Sequence, residues 1–270
     1  MWTPRSGAVM MNLDRQDPPP PYEASKDESL DDILEPETLL FRDQSVVSDT
    51  KATATLYRMN WDITSIPQRG SSVVFERVGE DNPLESKDLA SIKRRDEHIF
   101  YLAHPASAKY QNETPGYYLT SVSSESLGNI CLKTSKSAFQ KTEFRMLIST
   151  GRTWSDQPLF DEDAKPLFEV KPKWMGGRYI WSNCNGEQVA YEDKKGDQQV
   201  LVITAPVKRK LRDALVATWC LRLWYETAES TQARRDEMER LTPAEGLKGH
   251  ADLKLAKRIG ALGSLGGAGA

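Results

Sequence analysis

Along Leu56-Tyr57-Arg58-Met59-Asn60-Trp61-Asp62-Ile63, the side chains of Tyr57, Met59, Trp61 and Ile63 fall on one side of an extended chain and those of Arg58, Asn60 and Asp62 on the other. Successive side chains of a strand point to opposite faces, so a period of two marks a strand with one buried face. Further β-type runs extend from Leu39 to Val47, Val73 to Val78, His98 to Ala103, Tyr117 to Val122, Ile130 to Thr134 and Phe144 to Ser149. They continue at Leu159 to Phe160, Leu167 to Lys171, Arg178 to Trp181, Gln188 to Tyr191 and Gln199 to Thr204. About a dozen strands at regular spacing predict an all-β sandwich or barrel. Asn185-Gly186, between two such runs, supplies the positive-φ residues of a tight hairpin, and Lys194-Lys195-Gly196-Asp197 leads into the next. The order is therefore a meander of antiparallel neighbours.

One segment departs from this period. Residues 206–228 read as a helix, with Thr204 as its N-cap and Pro206 in the first turn. Ala214-Leu215-Val216-Ala217-Thr218-Trp219-Cys220-Leu221 carries no charge, and Leu223, Trp224 and Tyr225 follow Arg222, so apolar residues occupy every face. Such a helix must be surrounded. Arg212, Asp213 and Arg222 leave the uncharged stretch too short to cross a bilayer. The prediction is a mainly β fold: a closed antiparallel barrel of about twelve strands around a buried C-terminal apolar helix, with Leu215, Trp219 and Leu223 in its core.

The flanks differ in composition. Residues 1–37 combine Pro18-Pro19-Pro20-Pro21-Tyr22 with the acids Glu23, Asp27, Glu28, Asp31, Asp32, Glu35 and Glu37, and are predicted to be a disordered tail. Residues 231–270 are charged and then glycine-rich, a second predicted tail, leaving 38–230 as the folded domain. Lys plus Arg number 36 against 39 Asp plus Glu, a net charge of −3, which disfavours a globally basic nucleic-acid binder. Cys131, Cys184 and Cys220 are too few and too far apart for a disulfide scaffold, and no secretory or membrane-spanning segment is read, so a cytoplasmic protein is expected, peripheral to a membrane at most.

Ser72-Val73-Val74-Phe75-Glu76-Arg77, Tyr117-Tyr118-Leu119-Thr120-Ser121-Val122, Lys171-Pro172-Lys173-Trp174, Gln188-Val189-Ala190-Tyr191-Glu192-Asp193 and Arg212 to Trp224 carry a resemblance. With the late apolar helix, the chain resembles the tubby C-terminal-like superfamily, which includes LURP-one-related and phospholipid-scramblase-like proteins, and among these uncharacterised fungal members, over roughly residues 38–230. The resemblance implies a barrel of about twelve strands closed around that helix. Animal tubby proteins bind phosphoinositides through a basic surface pocket, but none of their ligand residues is matched position by position in this chain.

Chemistry is sparse. No phosphate loop, dinucleotide fingerprint, nucleophile elbow or His-Glu-x-x-His motif is present, and His98, His104 and His250 are too dispersed for one strand to chelate a metal. Neither a cofactor, a metal site nor an enzyme is predicted. Three segments carry binding chemistry instead. Pro19-Pro20-Pro21-Tyr22 fits Pro-Pro-x-Tyr, a WW-domain ligand whose preformed polyproline helix docks at small entropic cost. Lys208, Arg209, Lys210 and Arg212 crowd the predicted first turn, where cations oppose the helix dipole. Only Arg209 has an i+4 acid, Asp213, so the four suit an anionic phospholipid headgroup. Residues 251–259 form a weakly amphipathic basic stretch. Three readings follow, in order: a peripheral phospholipid or phosphoinositide headgroup binder, an adaptor that recruits a WW-domain ubiquitin ligase through Tyr22, and an enzyme whose site the sequence does not reveal.

Overall fold

The computed structural model describes residues 32–50, 54–64, 71–79, 96–105, 115–123, 126–136, 141–173 and 179–230. Twelve strands form a closed barrel. They are β2 (Thr38–Arg42), β3 (Ser45–Ser48), β4 (Thr55–Met59), β5 (Ser71–Arg77), β6 (Glu97–His104), β7 (Tyr117–Ser121), β8 (Gly128–Lys136), β9 (Thr142–Thr150), β10 (Lys165–Pro172), β11 (Tyr179–Asn183), β12 (Gln188–Lys195) and β13 (Gln198–Ile203). Each pairs antiparallel with its sequence neighbour, and β13 returns to β2 through Val200↔Leu40, Leu201↔Leu39 and Val202↔Thr38. The expected meander is thus a closed up-and-down barrel.

Two readings of individual strands are corrected. Leu39 to Val47 is not one strand but the hairpin β2–β3, in which Asp43, at φ 51°, supplies the positive φ that a glycine would normally provide. Leu159-Phe160 is not a strand. It lies in the loop from Gly151 to Ala164, where the Phe160 ring meets the outward-facing Tyr118 edge-on at 5.4 Å. The predicted count survives because one strand is split and another is lost. β4 also stops at Met59, leaving Trp61 52% exposed instead of buried.

A ribbon outside the barrel was not anticipated. β1 (Ile33–Leu34) pairs with β14 (Val207–Lys208), so the helix α1 begins at Arg209 and runs to Ala228. Thr204 does not cap it; the N-cap position is Lys208, in extended conformation and without a side-chain cap bond. The N-terminal boundary moves as well: residues 32–37, assigned to the tail, belong to the fold, and Glu37 is buried. Residues 1–31 and 231–270 lie outside the described residues.

α1 runs inside the barrel. Every residue from Arg212 to Trp224 is buried, including Leu215, Trp219 and Leu223. Its partners come from around the wall: Phe41 of β2 meets Trp219 at 6.2 Å, His104 of β6 meets Trp224 at 6.0 Å, and the Tyr179 ring of β11 lies 4.6 Å from the Arg222 guanidinium. Helix and inward-facing strand residues form one continuous apolar cluster. The indole nitrogens of Trp219 and Trp224 and the Arg222 Nε are buried in it without a hydrogen-bond partner, while other polar groups are paired. Thr218 donates to the Ala214 carbonyl at 2.7 Å, and Arg222 pairs with Glu192, which also accepts from the Trp181 indole at 2.9 Å. Burial raises the Glu192 pKa despite the Arg222 charge beside it. At the start of β8 only glycine fits: Gly128 has φ 121°, and a Cβ there would stand 2.2 Å from the Ser149 carbonyl oxygen.

Candidate functional site

At the end of the barrel where α1 begins stand the start of β6, the end of β7 and the loop between β9 and β10. Here the sequence-predicted cations separate into different environments. Lys208 is exposed on β14, beside Ile33 in register. Arg209 opens the helix, and its guanidinium lies 3.4 Å from the Asp32 carboxylate. Lys210 is half-buried in a recess it shares with His98, Ser123, Ser126 and Asp213.

Arg212 does not belong with them. It is 6% exposed and paired with the buried Glu37, which also accepts from the Ser48 hydroxyl. A guanidinium already desolvated against its own carboxylate is committed to that pair, so Arg212 is reassigned from ligand binding to holding the helix head against the chain before β2. Its Nε has no hydrogen-bond partner.

Beneath the cations lies a polar network that the sequence did not reveal. Asp213 accepts from the Tyr57 hydroxyl at 2.8 Å and from Arg77 at 2.6 Å, and Arg77 also pairs with Glu97. Burial, reinforced by the Asp213 charge, pushes the Tyr57 phenol well above its ordinary value. Burial also raises the Asp213 carboxyl, against the pull of Arg77. Arg77, Arg209, Arg212, Tyr57, Glu37 and Glu97 line a pocket of about 280 Å³. Its charges are mixed: three guanidinium groups face carboxylates on Asp32, Glu37, Glu97 and Asp213. A signal for part of this was the acidic run ending at Glu37, opposite in sign to the basic run from Lys208 to Arg212.

The loop from Gly151 to Ala164 sits at the same end and presents Trp154 at 55% exposure. Asn129 holds it in place: its side-chain amide donates to the carbonyls of Thr153 at 2.9 Å and Leu159 at 2.8 Å, and its oxygen accepts from Ser121 N–H at 2.8 Å. The Trp154 N–H reaches the Ser121 carbonyl at 2.9 Å. The opposite end is different in character, with a pocket of about 490 Å³ lined by Phe41, Arg42, Asp43, Asp197, Gln199 and Glu226 around the last turn of α1.

Cys131 and Cys220 are buried and Cys184 is exposed, all unpaired; burial raises the thiol pKa values of the first two, away from the thiolate form a nucleophile needs. Among the described residues no three His, Cys, Asp or Glu side chains are placed to hold a metal ion. No helix among them is long and apolar enough to cross a membrane. The outer wall carries charge in mid-strand, as in the row Arg145, Glu169 and Lys171 on β9 and β10. Pro19, Pro20 and Tyr22, and the basic stretch 251–259, lie outside the described residues. Comparison of the chain with protein-family models, with curated proteins and with solved structures returns no match.

Proposed function

We propose that this chain is a non-catalytic, tubby-like binding module that rests peripherally on anionic phospholipid, phosphoinositides included, through the barrel end where α1 begins. The observation that carries the reading is the concentration of Lys208, Arg209 and Lys210 at a helix start whose first turn holds no acidic residue and no side-chain cap. The positive end of the helix dipole adds to those cations and favours a phosphate group in front of them. Trp154, exposed at the same end, supplies an amphipathic ring of the kind that settles at headgroup depth. Each near-surface cation contributes about 1 kcal/mol on an anionic leaflet, so Lys208→Gln with Lys210→Gln is expected to weaken vesicle binding roughly thirtyfold at low salt. Pelleting with anionic vesicles at two salt concentrations measures it. Unchanged binding with melting also unchanged removes these lysines from the site, and absence of binding by the parent chain removes the membrane reading.

A second reading rests on the Pro19-Pro20-Pro21-Tyr22 motif: an adaptor that recruits a WW-domain protein, a ubiquitin ligase among them. A peptide of residues 14–30 is expected to bind a WW domain weakly, and Tyr22→Ala to abolish the binding, because tyrosine fills a groove that proline alone does not. Equal binding by both peptides leaves the segment as a spacer.

A further inference from the structure

The chain just before the barrel returns to the head of the helix. β1 lies against β14 in the register Ile33↔Lys208 and Leu34↔Val207, and the Asp32 carbonyl accepts the Arg209 N–H at 2.9 Å. The Asp32 carboxylate faces the Arg209 guanidinium at 3.4 Å. A backbone oxygen and a carboxylate therefore occupy the place at the helix N-terminus that an incoming phosphate would take.

This hold is light at one end and firm at the other. The ribbon has two residue pairs, Ile33 is 66% exposed and the Asp32 side chain is 52% exposed. Exposed ion pairs of this kind contribute little. At Glu37 the chain is fixed: its carboxylate is buried on Arg212 and Ser48, and its carbonyl accepts the Ile203 N–H at 2.9 Å. Between them Glu35 and Pro36 are exposed.

We infer that Asp32–Leu34 is a strap that acts as an intramolecular competitor for the anion-binding end, lying over the helix start when the site is empty and displaced when an anionic surface occupies it. The inference rests on the proposed membrane reading and supplies its regulation. With the strap seated, Arg209 faces the Asp32 carboxylate and Leu34 helps to line the 280 Å³ pocket. A ligand selective for the open form is weakened by the fraction of molecules that are closed, so whatever loosens the strap raises apparent affinity without adding a contact.

The test uses the full chain and phosphatidylcholine vesicles containing phosphatidylserine or phosphatidylinositol 4,5-bisphosphate. Asp32→Asn removes the competing charge and leaves the proposed cations intact; binding is expected to tighten about two- to fivefold. Conversely, Leu34→Cys with Val207→Cys, in a Cys184→Ser background, places two thiols on facing residues at a spacing a disulfide spans. The oxidised form is expected to bind several-fold more weakly than the same protein after reduction. Inorganic phosphate in place of vesicles forms a second arm: tightening there too assigns the competition to the phosphate group, and tightening on vesicles alone assigns it to the bilayer surface. If the parent chain binds and Asp32→Asn binds equally well, the strap is structural only and the inference fails while the membrane reading stands. If neither the parent nor Asp32→Asn binds, both fail. If the disulfide does not form, Asp32→Asn decides alone.

Discussion

Tyr57, Arg77 and Asp213 bring strands β4 and β5 to the head of the helix through one buried carboxylate. The phenol that donates to Asp213 is held protonated beyond its ordinary range, and this gives a pH signature with a definite sign. A folded-state pKa above the unfolded value means that the unfolded chain loses this proton first. The contribution is complete below about pH 10 and is lost as the pH rises through the folded value. Tyr57→Phe is therefore expected to cost about 1–3 kcal/mol at neutral pH, from the lost bond to a charged group, and to show a shallower fall of stability above about pH 10 than the parent. Urea unfolding across that range measures both; parallel alkaline slopes in the two proteins contradict the assignment. The cations that share this end with Tyr57 were legible in the sequence as a run that breaks the helix-dipole preference. Their partners were not, because Asp32 and Glu37 stand far from Arg209 and Arg212 along the chain and meet them only once the barrel has closed. Glu37 in particular read as one more acid of a polar tail.

The helix was the most legible element, since an uncharged stretch covering every face has no stable place except an enclosed one. Trp219 tests that enclosure. It is fully buried, and its indole N–H has no partner, so truncation removes packing without breaking a hydrogen bond. Trp219→Ala is expected to cost about 3–5 kcal/mol, read from the denaturation midpoint, and a midpoint near that of the parent contradicts tight enclosure. The helix start was misread for a reason of scale: Thr204 and Pro206 are sound local signals, but β14 exists only because β1 is there to pair with it. The β2–β3 hairpin was merged into one strand because its turn carries Asp43-Gln44 instead of a glycine signal, with Asp43 taking the positive φ itself. Leu159-Phe160 looked like a strand for the opposite reason: it is apolar because it covers Tyr118 from outside the barrel.

At the scale of the molecule, the two barrel ends are unlike although the chain as a whole carries only −3. The end at the helix start sets Lys208, Arg209 and Lys210 beside Trp154 and among the carboxylates of Asp32, Glu37, Glu97 and Asp213, whereas the other gathers Arg42, Asp43, Asp197 and Glu226 around the C-terminal turn of α1. The closure of the wall has a further consequence, for the order in which the chain can fold. Strand β2 closes on β13, and the core they enclose is filled by α1, which follows β13 in sequence. As the polypeptide emerges during synthesis, its hairpins can form one after another while their inward faces still lack the apolar column that fills them. Cooperative closure waits for the last turn of the helix to be made, so the nascent chain carries open strand edges and apolar surface through most of its production.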